Sequence, residues 1–399
     1  MTLLNRIAHG ATGLWAYRQK RQFIRDSHHC RHLQEQRLAQ ILSTAAPAPA
    51  HQAGNLRPDM DWQAFAERVP VTDYLSWEPW IERQLQDQPG KLSSSPIVRH
   101  QPTSGSTSAV KWIPYTRQFL QEINRALMVW IGDLYQRYPG IRRGFHYWSV
   151  SWIPEQLRAT VDDNVNDDLR VLPWWERWIA AQYMAVPDTV ARAATSDDTF
   201  FASVAWLVAR QDLSLLSVWS PTFALSLLQV LQAHQQALAR VLEQGAWLQR
   251  AGALGDTPCP RAPQRAALLR QGGSVDDPAF LQALWPDLTL ISCWDTASSA
   301  SWAQRLGRRF AHAQVEGKGL WATEGAVTIP LEGSFPLAAQ SHFYEFQDLA
   351  NNRILPAWEL QPATGSHTGT NPVPAVSLPV GPGVKTTGSC PGAGNPPGQ

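Results

Sequence analysis

The apolar pattern of the chain predicts an α/β fold with a largely parallel sheet, and three stretches carry that expectation. Phe145-His146-Tyr147-Trp148-Ser149-Val150-Ser151-Trp152-Ile153 alternates and is rich in aromatic residues, as a strand should be. Leu213-Ser214-Leu215-Leu216-Ser217-Val218-Trp219 reads as a buried strand. Ser220-Pro221 then opens a helix through Leu225, Leu228, Leu231 and Leu238, with proline in the first turn. Leu288-Thr289-Leu290-Ile291-Ser292-Cys293-Trp294 repeats the strand pattern, and strands alternating with helices favour parallel pairing.

Taken in order, residues 1–45 read as an N-terminal helical segment. Leu14, Trp15, Phe23, Ile24 and Leu33 mix with Arg and Gln, and an Ala/Pro break runs from Thr44 to Ala50. His28-His29-Cys30-Arg31-His32 invites a metal reading. Neighbours on a helix point in different directions, however, so a closed site would need ligands from elsewhere, and a solvated helix face is the reading adopted. Asp61-Trp62-Gln63-Ala64-Phe65 opens a short helix, followed by Val69-Pro70-Val71-Thr72-Asp73-Tyr74. A large α/β domain is expected over 46–360.

Composition bounds the function. The 399 residues suffice for a large core, and 44% hydrophobic with 17% charged residues describes a globular chain. Lys and Arg (34) nearly cancel Asp and Glu (33), so no long-range field argues for nucleic acid or an anionic membrane as partner. Nineteen tryptophans are enough to wall both a core and a pocket. Cys30, Cys259, Cys293 and Cys390 lie far apart, without zinc spacing or disulfide density, which fits a reducing cytoplasm. No stretch approaches the roughly 20 apolar residues of a membrane span, and the N-terminus lacks a signal-peptide design. The expected location is cytoplasmic.

The densest chemistry lies in Arg99-His100-Gln101-Pro102-Thr103-Ser104-Gly105-Ser106-Thr107-Ser108-Ala109-Val110-Lys111. Small residues let the backbone curl until several N–H groups point one way, which makes a nest for an anion. The hydroxyls of Thr103, Ser104, Ser106, Thr107 and Ser108 add donors, Gly105 adds freedom, and Lys111 adds a mobile positive charge. A polyphosphate suits such a loop, although a bland Thr/Ser turn has the same composition. It is not a Walker loop, because no Gly-Lys-Ser/Thr closes the frame. The stretch is expected to run on into a helix capped by Thr116, with Phe119, Leu120, Ile123, Leu127, Trp130, Ile131, Leu134 and Tyr135 at helical spacing until Pro139-Gly140.

A second motif is Glu316-Gly317-Lys318-Gly319-Leu320-Trp321-Ala322-Thr323-Glu324-Gly325, followed by an apolar strand from Ala326 to Leu331. Ligands in an α/β sheet collect at the carboxyl ends of strands, so a Thr-Glu-Gly turn beside a strand is a plausible site edge; an ordinary hairpin turn is the alternative. Asp162-Asp163-Asn164-Val165-Asn166-Asp167-Asp168 lacks the glycine and glutamate of a calcium loop and reads as a solvated acidic loop. Cys293-Trp294-Asp295-Thr296 offers no recognisable histidine for nucleophilic chemistry. His342 in Ser341-His342-Phe343-Tyr344-Glu345-Phe346 is read as packed or solvated rather than as a base.

Several of these stretches resemble one family. Thr103-Ser104-Gly105-Ser106-Thr107 with Lys111 is similar to the phosphate-binding signature of adenylate-forming enzymes. Trp112-Ile113-Pro114-Tyr115-Thr116 narrows this to the auxin-responsive acyl-acid amido synthetase family. Ser108, where many relatives carry glycine, and Val110 depart from its pattern. Val69-Pro70 with Tyr74, the strand–Ser220-Pro221–helix unit, Ala322-Thr323-Glu324-Gly325 and Tyr344-Glu345-Phe346 resemble further family features. The resemblance implies the large N-terminal domain of the adenylate-forming type, with a mixed or parallel sheet flanked by helices. It implies ATP and Mg²⁺ as cofactors, with Thr103 to Ser108 and Lys111 on phosphates. Thr323 and Gly325 would lie at the nucleotide, and Glu324 at the metal. A carboxylic acid would be adenylated and then joined to an amino acid amine.

Residues 361–399 hold a single charged residue, Lys385, among Gly, Pro, Ser, Thr, Ala and Val, and such a segment is expected to be disordered. The family continues here into a third nucleotide motif and a smaller cap domain, neither visible in this sequence. The expectation is therefore a truncated or frameshifted relative in which turnover is impaired. A non-catalytic nucleotide-binding remnant stands as the alternative, and a transferase to a thiol acceptor as a third.

Overall fold

A computed structural model describes residues 2–54, 56–86, 91–103, 111–153 and 173–360. Two helices open the chain, α1 (Leu3–Ser27) and α2 (Cys30–Ala45), followed by the short α3 (Trp62–Arg68) and α4 (Glu78–Leu85). The antiparallel pair β1 (Ile97–Pro102) and β2 (Trp112–Thr116) leads into α5 (Arg117–Arg137). Then come β3 (Phe145–Trp148), α6 (Trp174–Ala181), α7 (Ser196–Ala209), β4 (Leu213–Ser217) and α8 (Pro221–Gln244), kinked at His234. The short α9 (Ala251–Leu254), α10 (Pro263–Gln271) and α11 (Pro278–Leu284) precede β5 (Leu290–Cys293), α12 (Ala300–Arg309) and β6 (Gln314–Gly317). Two small antiparallel pairs follow, β7 (Trp321–Ala322) with β8 (Gly325–Ala326), and β9 (Glu345–Gln347) with β10 (Ile354–Pro356). The chain folds as two compact units. One takes the residues up to Arg37 together with 117–343; the other takes 38–116 and the described residues from 344 on.

The first unit is built on a four-stranded sheet of order β3-β4-β5-β6, every pair parallel. Every residue of β3, β4 and β5 is buried, so both faces are covered, and the few polar residues in them, His146, Ser214, Ser217 and Ser292, are buried too. Their core joins Leu213, Leu216 and Ile291 to Phe201 and Leu207 of α7, Leu228 and Leu231 of α8, and Leu306 of α12. The start of α8 matches its sequence signal: the Ser220 hydroxyl accepts from the Thr222 amide, and Pro221 occupies the first turn. Gly245, in the left-handed region at φ 67°, ends it.

The expected strand at Phe145–Ile153 is regular only through Trp148. Two other expectations are corrected. The hydroxyl-rich stretch does not run directly into a helix, because β2 intervenes. The apolar run Ala326–Leu331 is not one strand but isolated bridges, Thr328 to Leu337 and Leu331 to Ser334. Pro330 and Pro336 lack the N–H a continuous ladder needs.

Helices α1 and α5 lock together through one small residue and one buried ion pair. A Cβ on Gly132 would stand 2.5 Å from the Ala16 carbonyl oxygen, so only glycine lets the backbones approach this closely. One turn on, Lys20 Nζ meets Asp133 Oδ1 at 2.9 Å and donates to Gln136 Oε1 at 2.7 Å, with Asp133 fully buried. The Glu332 amide donates to the same carboxylate oxygen at 3.1 Å, and Arg137 reaches Asp133 Oδ2 at 3.2 Å. A buried charge stripped of its partner is costly, so Asp133→Ala should lower unfolding stability by about 3–5 kcal/mol. Urea titration followed by tryptophan fluorescence measures it.

In the second unit β1 and β2 pair from Ile97–Thr116 down to Pro102–Trp112. The Tyr74 hydroxyl accepts the Trp112 amide at 3.0 Å, and Trp62 Nε1 donates to Glu345 Oε1 at 2.8 Å.

Candidate functional site

The hydroxyl-rich stretch lies between β1 and β2. Ser104, Gly105, Ser106, Thr107, Ser108 and Val110 fall outside the described residues, as do Asp162–Asp168 and residues 361–399. Its two ends are described: the Thr103 amide donates to the Lys111 carbonyl at 2.8 Å, directly beyond the Pro102–Trp112 pair. Thr103 and Lys111 therefore stand together at the foot of an antiparallel ladder. The Lys111 ammonium lies 5.3 Å from the centre of the Tyr74 ring, within cation–π range, and the residue is exposed. Tyr74 thus ties the segment around Val69-Pro70 to the base of the loop through its hydroxyl and its ring.

The second motif belongs to the first unit, where the four parallel strands bring their carboxyl ends to one edge. Beyond β6, Lys318 turns inward and is 2% exposed, and its Nζ donates to the Ser217 hydroxyl at the end of β4 at 2.8 Å. The ammonium lies 4.3 Å from the ring centre of Trp219, 5.2 Å from Trp130 and 6.0 Å from Trp148. Trp321 closes the cluster, with its ring 6.0 Å from Trp219 and 6.4 Å from Trp130. Sequence reasoning gave Lys318 no role. The available signal was a lysine between two glycines directly after a strand.

Two residues past Trp321, the register Ala322–Gly325 leaves Thr323 and Glu324 as a two-residue hairpin turn, Thr323 half-buried and Glu324 exposed. His342 fixes this turn from behind. The Ala326 amide donates to His342 Nε2 at 3.1 Å, which makes Nε2 the acceptor and leaves Nδ1 to donate to Glu122 Oε2 at 3.3 Å. Gly325 has φ 152°, and a Cβ there would stand 2.7 Å from His342 Nε2. Gln34, fully buried on α2, donates to the carbonyls of Ala339 and His342 at 2.8 Å each, fixing the segment that carries the ring. His342 is thus a packed support.

Cys293, at the end of β5, is fully buried. Burial first, then the Asp295 carboxylate, push its thiol up to about 12, against the opposing effect of Lys318, so it stays protonated. Burial also raises Asp295. In the second unit burial raises Glu345 while its bond from Trp62 opposes the shift, so this carboxyl is engaged in packing. Among the described residues no group of three His, Cys, Asp or Glu is placed to hold a metal ion, and no helix is long and apolar enough to cross a membrane.

A parallel sheet wrapped by helices, with a Thr-Glu turn at its carboxyl edge, defines an α/β large domain of the adenylate-forming type. The sequence pattern described as the GH3 family N-terminal domain matches residues 19–315, well over half of the chain, and the chain belongs to that family. A solved structure titled GH3.15 acyl acid amido synthetase superposes with a TM-score of 0.69 at 17% identity, over 86% of this chain and 62% of that one. A second, AtGH3.15 acyl acid amido synthetase in complex with 2,4-DB, gives 0.67 at 17% identity, over 83% of this chain and 61% of that one. Such identity shows the fold, and the chain spans about 62% of the first relative's length. None of the curated proteins matches by sequence.

The support beneath the turn is testable by a double-mutant cycle. Gly325→Ala should cost about 1–3 kcal/mol, the range for a side chain forced into a disfavoured backbone region. His342→Ala in the same chain should return part of that loss by removing the ring the new methyl meets. Strictly additive losses on urea unfolding would refute the contact.

Proposed function

We propose that this GH3-family chain activates a carboxylic acid with ATP, forming an acyl adenylate and pyrophosphate, as the large domain of an acyl-acid amido synthetase. An amino acid amine is then the acceptor that displaces AMP, in a cytoplasmic setting where ATP is supplied. The observation that carries this reading is the Thr323-Glu324 turn at the carboxyl edge of the parallel sheet, where α/β folds bind ligands.

Each residue has a stated task. Thr103, Ser104, Gly105, Ser106, Thr107 and Ser108 offer hydroxyl and amide donors to phosphate oxygens, and Lys111 offers its charge from the foot of the loop. Thr323 faces phosphate, with Gly325 letting the chain double back against His342. Glu324 is the one carboxylate on the turn, and it is exposed. That donor set fits Mg²⁺, which keeps most of its water and binds through one or two carboxylates plus substrate phosphates. When bound, the ion neutralises charge on the transferred phosphates. Trp130, Trp148, Trp219 and Trp321 supply an apolar wall for the organic body of the acid, held in place by the Lys318 ammonium among their rings.

ATP–pyrophosphate exchange over a panel of carboxylic acids tests the proposal. Exchange should depend on the acid, and Lys111→Ala or Glu324→Ala should each reduce it by about 10²–10³-fold, the scale for losing one group that meets developing charge. Thermal stabilisation by ATP and Mg²⁺ without exchange for any acid would mark a nucleotide-binding domain without turnover. Absence of both would refute the reading.

A further inference from the structure

Within the first unit, α1, α5, α6 and Trp148 of β3 line a pocket that opens to solvent. It meets the tryptophan cluster at Trp148, which lines both, while its α5 wall lies off the stripe that carries Trp130. Met128 and Ile131, three residues apart, share one face and line the cavity, whereas Trp130 projects from another. Trp15 and Trp175 stand at the rim, partly exposed, with their rings edge to face and 6.0 Å between centres. Glu176 also lines the cavity and is 6% exposed. Its Oε1 is 3.5 Å from Asn124 Nδ2, at the outer limit of a hydrogen bond, and among the described residues its Oε2 has no hydrogen-bond partner.

A buried carboxyl oxygen without a donor is costly. Among the described residues no lysine, arginine or histidine lines the cavity to supply one, and the rim carries indole rings whose faces attract cations. We propose that this cavity is a binding site for a small organic ammonium ion with an apolar or aromatic body. The ammonium donates to Glu176 Oε2 and lies against the indoles of Trp15 and Trp175, while the body fills the space beside Met128 and Ile131. The argument does not rest on the ligase reading, although Trp148 is shared with the proposed acid wall, and the binding involves no covalent step.

The pH dependence follows from the surroundings. Burial pushes the Glu176 carboxyl up to about 7, against the opposing effects of Asn124 on α5 and the Trp15 indole on α1. Four titratable groups at and around the lining residue Tyr183 stay neutral around that pH, while Lys20 of α1 and Asp133 of α5 are paired with each other. Burial raises Tyr183, after α6, to about 12 and Tyr135, on α5, well above its ordinary value. Burial lowers His9, on α1, and takes His146, on β3, to about 3. Arg177 is the charged neighbour on α6 itself and points about 100° away around the helix. Ammonium binding therefore needs Glu176 ionised and weakens as pH falls through 7.

Isothermal titration of the full chain with 2-phenylethylammonium, and with the neutral 2-phenylethanol as control, decides the matter. At about pH 8 the amine should bind at least tenfold tighter than the alcohol, and its affinity should fall roughly tenfold by about pH 6. Glu176→Gln keeps the shape and removes the charge; it should erase the preference for amine over alcohol and flatten the pH dependence. Trp175→Leu, on the rim, should weaken the amine more than the alcohol. Equal affinity for amine and alcohol in the unmodified chain, unchanged amine binding in Glu176→Gln, or no amine binding at about pH 8 would each overturn the proposal.

Discussion

Parallel strands buried on both faces impose one constraint on everything around them: all of their carboxyl ends emerge at the same edge. In this chain that edge collects Trp148 at the end of β3, Trp219 after β4, Asp295 after β5 and Lys318 after β6. The Lys318–Ser217 bond ties the ends of two strands together, and three indoles surround the ammonium, so the edge is filled and rigid. The chain leaving it has little choice but to turn back within a few residues, which it does at Thr323-Glu324. Glu122, His342 and the Ala326 amide then hold that turn from the opposite side.

What could be read from the sequence follows from how local each determinant is. β4 and α8 were legible because a run of buried residues ends in Ser220-Pro221, and both the cap and the proline act within one turn. α5 was legible because its apolar stripe repeats over 21 residues. β2 was not, since it is five residues long, contains Pro114, and follows a stretch whose composition dominates the eye. The run after Gly325 misled for a different reason. Ile329 and Leu331 are apolar because they are buried, at 0% and 2%, and burial alone does not make a strand where Pro330 and Pro336 remove donors.

The site was legible in part. The Thr-Glu-Gly turn was readable as a motif. The support beneath was not, because Gln34, Glu122 and His342 come from three distant segments and only the fold brings them together. Lys318 shows the same limit: flanked by glycines it reads as an exposed turn, and its burial depends on tryptophans contributed by α5, β3 and the end of β4. For the stretch around Lys111, the structure adds what sequence alone left open, namely that the loop is held at its base by a strand ladder and by Tyr74. Lys111 belongs to one compact unit and Thr323 with Glu324 to the other, so each motif is anchored by packing within its own unit.

Three buried ionisable groups show how differently one fold can treat the same penalty. Lys20 is neutralised by Asp133, a pair that also clamps two helices. Lys318 donates to a hydroxyl and lies against the faces of indoles, which stabilise a cation. Glu176 has neither a paired charge nor a donor on Oε2 among the described residues, and burial drives it toward the protonated form. The first two arrangements are complete in themselves and account for rigidity. The third leaves capacity for a hydrogen bond beside an aromatic-rimmed space. α5 presents Trp130 and the Met128–Ile131 face on different sides of one helix, and Trp148 lines both the sheet edge and this cavity, so the two share a wall as well as a backbone.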